Sequence, residues 1–362
     1  MAHPVRVAVL LTLACALSGG ARAAAAEEGK KAADARPKLA RVETDLPTTR
    51  DFVPQLAFDG DAKTFFLSDR PGKAGEAFTL MLPAPAKVKQ IEVSTGKPDG
   101  TDALGAGVLE TSADGAKFAG AAVFKAGVAK ADLGGKELRA LRLRLTADGA
   151  APLAIREITL DAEPPVPTFT YPIQIVLDAS EVPDLKEWCQ KVRDVAEEFY
   201  PVAAETLSYE SYRPPRRIDL ILKKSNKGIA GTGGSRIVCS DGWFRAHPKD
   251  VGAIIHETIH VVQSYPKYDP VWLVEGIADY VRYYVFEPDS PRRPLNRARI
   301  RYQDGYGTTA AFLDWLVRTR DKEIVRKLNK ALRTAQYNEG LFKEATGKNL
   351  NSLWEEFKQS LP

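Results

Sequence analysis

Two different patterns of hydrophobic and polar positions follow one another along the chain. In the first, short runs of alternating apolar residues are separated by Gly, Asp and Pro, which is typical of strands with one buried face. These strands are predicted at Phe78–Leu82, Val88–Ser94, Val108–Ser112, Leu141–Leu145 and Ile155–Leu160. Several short strands with turn signals between them predict an all-β sandwich over residues 38–162.

The second pattern, over residues 169–362, alternates short strand-like runs with longer runs whose apolar residues recur at the period of a helix. Strands are predicted at Phe169–Leu177, Arg217–Lys223 and Ser235–Ser240, and helices at Thr308–Arg320, Glu323–Thr334 and Leu350–Gln359. A long helix is predicted over Pro183–Leu207, with a break at Pro201. Gly228–Gly234 is predicted to be a mobile, glycine-rich loop. This half of the chain therefore predicts an α+β domain.

Two connecting segments divide the chain further. Residues 24–37 have no periodic apolar pattern and are predicted to be a flexible spacer. Residues 163–168 form a proline-rich linker, which favours an extended and semi-rigid connection. A chain of 362 residues is long enough for two domains of ordinary size on either side of this linker.

The N-terminal residues 1–23 have the pattern of an export signal. Arg6 precedes the apolar run Val7–Leu17, and Ala21–Ala23 offers a small-x-small cleavage pattern. The apolar run is too short to serve as a permanent membrane anchor. We therefore expect a secreted or periplasmic protein without an integral membrane segment.

The strongest chemical signal lies in the apolar run Gly252–Gln263. His256 and His260 are four residues apart there, so a helix places both imidazoles on one face, one turn apart. Two neutral imidazoles in this arrangement can share a zinc ion, and Glu257 between them can polarise a water molecule. Only 4 His occur in the chain, so finding two of them in this pattern favours a metal site over an ordinary amphipathic helix.

A second pair, Glu275 and Asp279, follows on the next predicted helix with the same spacing. A catalytic zinc site with two His needs a third protein ligand and one open position. Glu275 fits the third ligand, and Asp279 fits an acceptor that orients a ligating His through its other ring N–H. The reverse assignment, with Asp279 as the ligand, stays open.

These two stretches resemble the plant and bacterial basic secretory protein family of zinc peptidases. The resemblance rests on His256–Gln263 and on the distinctive run Leu273–Arg282, and it extends over about residues 168–362. It implies a zincin-like metallopeptidase domain over 169–362. The Glu-x-x-x-Asp spacing is also similar to the gluzincin arrangement, which implies that Glu275 is the zinc ligand and that Asp279 supports the first His.

The expected activity is zinc-dependent hydrolysis of peptide bonds, with Glu257 as the general base. An additional donor to the oxyanion is needed, and Tyr306 is the first candidate and Arg282 the second, although Arg282 could instead pair with Asp279. By analogy with zinc peptidases of this build, Ile237–Ser240 is the candidate edge strand for a protein or peptide substrate. The competing hypothesis is a non-catalytic extracellular glycan-binding protein with a structural zinc.

The N-terminal segment, over about residues 40–162, resembles the discoidin-like (F5/8 type C) galactose-binding sandwich. The similar stretches are Phe58–Ser68, Glu110–Phe118, Leu138–Leu145 and Ile155–Leu160, although Phe66 and Phe118 stand where the family usually has Trp. The resemblance implies either cell-surface or extracellular glycan binding or a spacer that packs against the catalytic domain. Asp59 and Asp61 could hold a Ca²⁺ ion, but a simple turn rich in Asp and Gly is the commoner explanation.

Composition and charge exclude other classes of function. A hydrophobic content of 44% and a charged content of 27% are those of a globular protein. The net charge of +4, without a polybasic tract, gives no support to nucleic-acid binding. Outside the predicted signal the chain has two cysteines, Cys189 and Cys239, which form either one disulfide or two buried thiols.

Overall fold

The computed structural model describes residues 38–362. The predicted export signal and the spacer after it lie outside the described residues. Within the described part of the chain, none of the helices combines the length and the apolar character needed to cross a membrane.

The first half of the described chain consists of strands. They are β1 (Arg41–Thr44), β2 (Phe66–Pro71), β3 (Ala77–Thr95), β4 (Gly107–Ser112), β5 (Ala119–Val123), β6 (Val128–Leu145) and β7 (Pro152–Glu163). A short 3₁₀ turn, Pro54–Phe58, precedes β2. Each predicted strand lies within one of these elements, but the first two predicted strands are parts of the single long strand β3. The intervening Pro83-Ala-Pro85 does not end the strand.

The two longest strands, β3 and β6, belong to both layers of the sandwich. The first part of β3 pairs with β1 and with the end of β6, whereas its second part pairs with β7 and with the start of β6. The register shifts between Met81 and Ala86, where the two strands pass from one layer to the other. Strands β4 and β5 complete one layer, and β2 completes the other. The predicted all-β sandwich is therefore confirmed.

The second half of the described chain contains a four-stranded sheet and helices packed on it. Strands β8 (Gln174–Asp178), β9 (Arg217–Lys223) and β11 (Arg236–Ser240) are parallel, and β10 (Ala230–Gly233) pairs antiparallel with β11. The strand order is β10-β11-β9-β8. Strand β10 is therefore an edge of the sheet, and β11 is an interior strand.

Eight α-helices are described. They are α1 (Lys186–Thr206), α2 (Asp241–Ala246), α3 (Gly252–Gln263), α4 (Val271–Val281), α5 (Tyr306–Thr319), α6 (Ile324–Arg333), α7 (Gly340–Thr346) and α8 (Leu350–Ser360). A π-helical turn, Arg282–Phe286, extends α4. The predicted α+β architecture of this half is confirmed.

Three local predictions are wrong. Helix α1 continues through Pro201, because residues on both sides of it, from Ala196 to Ala204, pack into one core. Much of the predicted glycine-rich loop is strand β10, because its backbone pairs with β11. The strand predicted at Phe169–Leu177 begins only at Gln174, since Phe169 packs into the core of the sandwich, edge-on to Phe58.

Two separate hydrophobic cores hold the described chain together. One lies inside the sandwich, and the other lies among the four-stranded sheet and the helices. The two halves meet at the 3₁₀ turn, where the Ile173 N–H donates to the Gln55 side chain over 2.8 Å. Cys189 and Cys239 are free thiols buried in the second core. Burial raises the pKa of the Cys189 thiol to about 11, so it stays protonated at neutral pH.

Glu197 makes the stability of the second core depend on pH. Burial raises the pKa of its carboxyl to about 7 from 4.5, although it accepts a hydrogen bond of 2.6 Å from the Ile175 N–H. Because the pKa is raised, the native state binds more protons than the unfolded state between about pH 4.5 and pH 7. The contribution of Glu197 to stability is therefore present below about pH 4.5 and is lost as the pH rises through 7.

Glu197→Gln keeps the accepting oxygen and removes the charge. We expect it to raise the free energy of unfolding by roughly 1–3 kcal/mol at pH 8 and to change it little at pH 4.5. Urea unfolding of the two proteins at both pH values measures this. An equal effect at both pH values would contradict the assignment.

Candidate metal centre

Helix α3 brings the two predicted histidines together. Its other faces are filled by buried Ile and Val side chains, which fix the helix in the second core. The His256 and His260 rings are nearly perpendicular, and their Nε2 atoms lie 3.0 Å apart. Both Nε2 atoms therefore point towards the same place, as the spacing of the two residues predicts.

Helix α4 adds the carboxylate. Glu275 Oε2 lies 3.0 Å from His256 Nε2 and 3.5 Å from His260 Nε2. Two ligands of a tetrahedral zinc ion, each about 2.0–2.1 Å from it, are about 3.3 Å apart. His256, His260 and Glu275 therefore fit a metal ion as a group, and no ion is part of this structure.

Asp279 takes the place predicted for it behind the first histidine. Its Oδ1 lies 2.7 Å from His256 Nδ1, on the side of the ring away from His260. Burial alone would lower the pKa of His256, but the bonds to Asp279 and Glu275 raise it to about 9. An imidazole in such contact with carboxylates is a strong base and a good metal ligand.

Gln263, which the sequence analysis missed, plays the same part behind the second histidine. Its Oε1 lies 2.6 Å from His260 Nδ1, and its Nε2 donates to the Val274 carbonyl over 2.9 Å. Because a carbonyl can only accept, the amide nitrogen must face Val274 and the amide oxygen must face His260. The proton of His260 is thereby placed on Nδ1, which leaves Nε2 free to bind a metal. The position three residues after His260, on the same face of α3, is the signal that could have revealed it.

Glu257 lies beside the metal-ligand group on the side of the sheet edge. The Thr232 hydroxyl, from edge strand β10, lies 2.7 Å from Glu257 Oε2 and 3.0 Å from the Glu257 backbone carbonyl. Thr232 is a second residue that the sequence analysis missed, because it belongs to the segment predicted to be a loop. This contact joins the predicted general base to the edge of the sheet.

Two half-exposed tyrosines flank the ligands. Tyr306, predicted from sequence, begins α5 with a left-handed φ of 46°, and its ring is nearly parallel to that of His256 with centroids 6.1 Å apart. Tyr268, which was not predicted, hydrogen-bonds Glu275 Oε1 and lies 3.5 Å from His260 Nε2. Burial and the neighbouring Glu275 carboxylate raise the pKa of both phenols, so both keep their protons as donors.

Arg282, the second candidate for the oxyanion donor, is engaged elsewhere. Its guanidinium pairs with Asp250 over 2.6 Å and with Glu287 over 2.7 Å, and it does not pair with Asp279. Asp250 in turn accepts the Ala253 N–H at the start of α3. We therefore assign to Arg282 the role of stabilising the start of α3, in place of the predicted catalytic role.

In the sandwich, Asp59 and Asp61 lie in a tight turn. Asp59 Oδ1 accepts the Asp61 N–H over 3.0 Å and the Thr64 hydroxyl over 2.9 Å. Burial, with Asp59 and Asp61 nearby, raises the pKa of Glu157 to about 7. The hydrogen bonds that Asp59 accepts are enough to hold the turn without a metal ion, and Ca²⁺ binding there stays a prediction.

The family comparison agrees with this geometry. Residues 179–357 match a family described as "Peptidase of plants and bacteria". The C-terminal half therefore resembles a peptidase domain. This match confirms the resemblance to the basic secretory protein family, and it covers all the residues of the metal centre. No curated protein sequence matches the chain significantly.

Similar solved structures cover the sandwich. One is a family 32 carbohydrate-binding module from a family 31 glycoside hydrolase of Clostridium perfringens, with 18% identity, a TM-score of 0.30, and coverage of 34% of this chain and 94% of the module. Another module of that family and organism, solved with galactose, has 11% identity, a TM-score of 0.29 and coverages of 33% and 92%. A fucose-binding module of Streptococcus pneumoniae has 15% identity, a TM-score of 0.29 and coverages of 33% and 89%.

The two partners of the imidazole Nδ1 atoms can be tested by metal affinity. Gln263→Leu removes the acceptor for His260, and Asp279→Asn weakens the acceptor for His256. Each change should lower zinc affinity by about 10–100-fold while the fold persists. Gln263→Glu, which keeps an accepting oxygen, should retain more affinity than Gln263→Leu.

Competition with a chromophoric chelator measures these affinities, and thermal unfolding of the metal-free proteins controls for the fold. Unchanged affinity in Gln263→Leu would remove Gln263 from the metal centre. Complete loss of metal in Asp279→Asn would make Asp279 a ligand.

Proposed function

We propose that the protein is a zinc-dependent peptidase whose metal is held by His256, His260 and Glu275. The observation that carries this proposal is the convergence of His256 Nε2, His260 Nε2 and Glu275 Oε2, with Glu257 beside them. A catalytic zinc site uses three protein ligands and leaves one position open. The match of this region to a peptidase family supports hydrolysis of a peptide bond.

Each residue then has a defined chemical task. Zinc, when bound, would polarise the scissile carbonyl and lower the pKa of the attacking water towards about 7. Glu257 takes the proton of the attacking water and delivers it to the leaving amine, which is worth about 10²–10⁴-fold in rate. Tyr306 donates its phenolic proton in a hydrogen bond to the developing oxyanion. Asp279 and Gln263 hold the two imidazoles in orientation throughout.

The place of the substrate backbone differs from the one predicted at Ile237–Ser240. That segment is the interior strand β11, whose backbone groups already pair with β9 and β10. The exposed edge belongs to β10, and Thr232 in that strand contacts Glu257. We assign extended substrate binding to β10, because a peptide paired there would lie beside the general base.

The competing function, a non-catalytic glycan-binding protein with a structural zinc, fits the metal centre less well. Structural zinc sites are closed by four protein ligands and are rich in Cys. Among the described residues the group that could hold a metal has three members, and none is a Cys. Export through residues 1–23 and glycan binding by the sandwich remain proposals from the sequence, and both would place the peptidase outside the cytoplasm.

The proposed function is tested with the full chain loaded with zinc. Wild-type protein should contain about one zinc and cleave a denatured-protein substrate. Glu257→Gln should keep the zinc and lose about 10²–10⁴-fold in turnover, whereas Glu275→Ala should lose the metal. Metal analysis and product detection by mass spectrometry measure both. Full activity in Glu257→Gln, or full zinc content in Glu275→Ala, would contradict the assigned roles.

The two tyrosines are expected to differ in their effects. Tyr306→Phe should lower kcat by about 10²–10³-fold with little change in zinc affinity, as for the loss of one oxyanion donor. Tyr268→Phe removes a hydrogen bond to Glu275 and should mainly weaken zinc binding. Steady-state kinetics and metal titration on the two matched variants separate these roles. The assignment of the oxyanion donor would move to Tyr268 if the kinetic effects were exchanged.

A further inference from the structure

Exposed apolar side chains concentrate around the metal centre. Among the described residues, the exposed large hydrophobic side chains are Phe52, Val123, Ile229, Tyr268, Val271 and Tyr306. Three of these six, Tyr268, Val271 and Tyr306, lie beside the metal-ligand group or one helical turn from it. Single exposed apolar residues need no explanation, but a contiguous set beside a site is typical of a binding surface.

Val271 is the most informative of the three. It is the first residue of α4 and lies four residues before Glu275, so it occupies the same face of the helix, with about 5–6 Å between the two Cβ atoms. Glu275 is only 6% exposed, whereas Val271 is 51% exposed. A valine has no group that could bind metal or transfer a proton. Its exposure one turn from a proposed metal ligand makes it a candidate for contact with a substrate.

Tyr268 and Tyr306 extend this surface on both sides of the ligands. The Tyr268 ring lies 5.7 Å from the His260 ring, and Tyr306 stacks beside His256. Their exposed fractions are 51% and 53%, so a large part of each side chain faces solvent. We call Tyr268, Val271 and Tyr306 the apolar rim.

The position of the rim relative to the sheet edge defines which part of a substrate would reach it. Thr232, in strand β10, bonds Glu257, whereas Tyr268 bonds Glu275. The sheet edge therefore contacts the proposed general base, and the rim contacts a proposed metal ligand. A peptide backbone along β10 would place a side chain next to the scissile bond against the rim.

We propose that the apolar rim is a specificity site that takes a large aliphatic or aromatic side chain of the peptide next to its scissile bond. The proposal rests on the proposed peptidase function and names its substrate class. An apolar side chain would cover the exposed carbon atoms of Val271 and of the two tyrosine rings, whereas a charged side chain would lose hydration there.

The test uses the zinc-loaded full chain and a peptide library analysed by mass spectrometry. Cleavage sites should be enriched in Leu, Met, Phe or Tyr at one position beside the scissile bond. Two peptides that differ only there, Leu against Lys, then measure the preference as a ratio of kcat/KM. Val271→Asp should lower this ratio by roughly 10-fold or more.

The matched control is Val123→Asp, which places the same charge at an exposed valine of the sandwich. It should leave the ratio unchanged, and zinc content should be the same in all three proteins. Cleavage without a preference at any position, a preference for Lys, or an unchanged ratio in Val271→Asp would overturn this inference while the peptidase function stands. Absence of cleavage by the wild-type protein would overturn the proposed function, and this inference with it.

Discussion

The metal centre depends on two hydrogen bonds that each fix one imidazole. Asp279 accepts from His256 and Gln263 accepts from His260, so both rings direct Nε2 to the same point. Without these acceptors a buried imidazole could turn or move its proton to Nε2, and either change would remove a metal ligand. Both acceptors also make a contact between the two helices that carry the ligands: Asp279 of α4 bonds His256 of α3, and Gln263 of α3 donates its amide N–H to the Val274 carbonyl of α4.

The surrounding helices hold this pair in place through close packing and a buried cation. A Cβ on Gly276 would lie 2.5 Å from Thr309 Cβ, so only glycine lets α5 approach α4 closely enough to bring Tyr306 beside Glu275. At the C-terminal end of α3, buried Arg333 donates to the carbonyls of Val262 and Gln263. A positive charge is favourable at a helix C-terminus, and here it fixes the residue that orients His260.

The sequence predicts those parts of the site whose geometry follows from spacing within one helix. His256 with His260 and Glu275 with Asp279 have the spacing of one helical turn, and a helix converts that spacing directly into a shared face. Contacts that depend on tertiary structure could not be predicted in this way. Tyr268 comes from a connecting loop, and the sequence does not show that Arg282 pairs with Asp250. The glycine-rich segment of β10 has low strand propensity, and it is a strand only because the edge of β11 is available to it.

The position of β10 at the edge of the sheet explains its glycine-rich composition. Gly231 and Gly233 are exposed, and no atom lies within 4 Å of the places where their Cβ atoms would be. An edge strand without these side chains presents its backbone N–H and C=O groups openly to another extended chain. The one larger side chain between them, Thr232, is directed at Glu257. The residue order Gly-Thr-Gly thus combines an accessible sheet edge with a hydroxyl that holds the proposed general base. The proposed binding of a peptide along β10 and the positioning of Glu257 would therefore both depend on the same short strand.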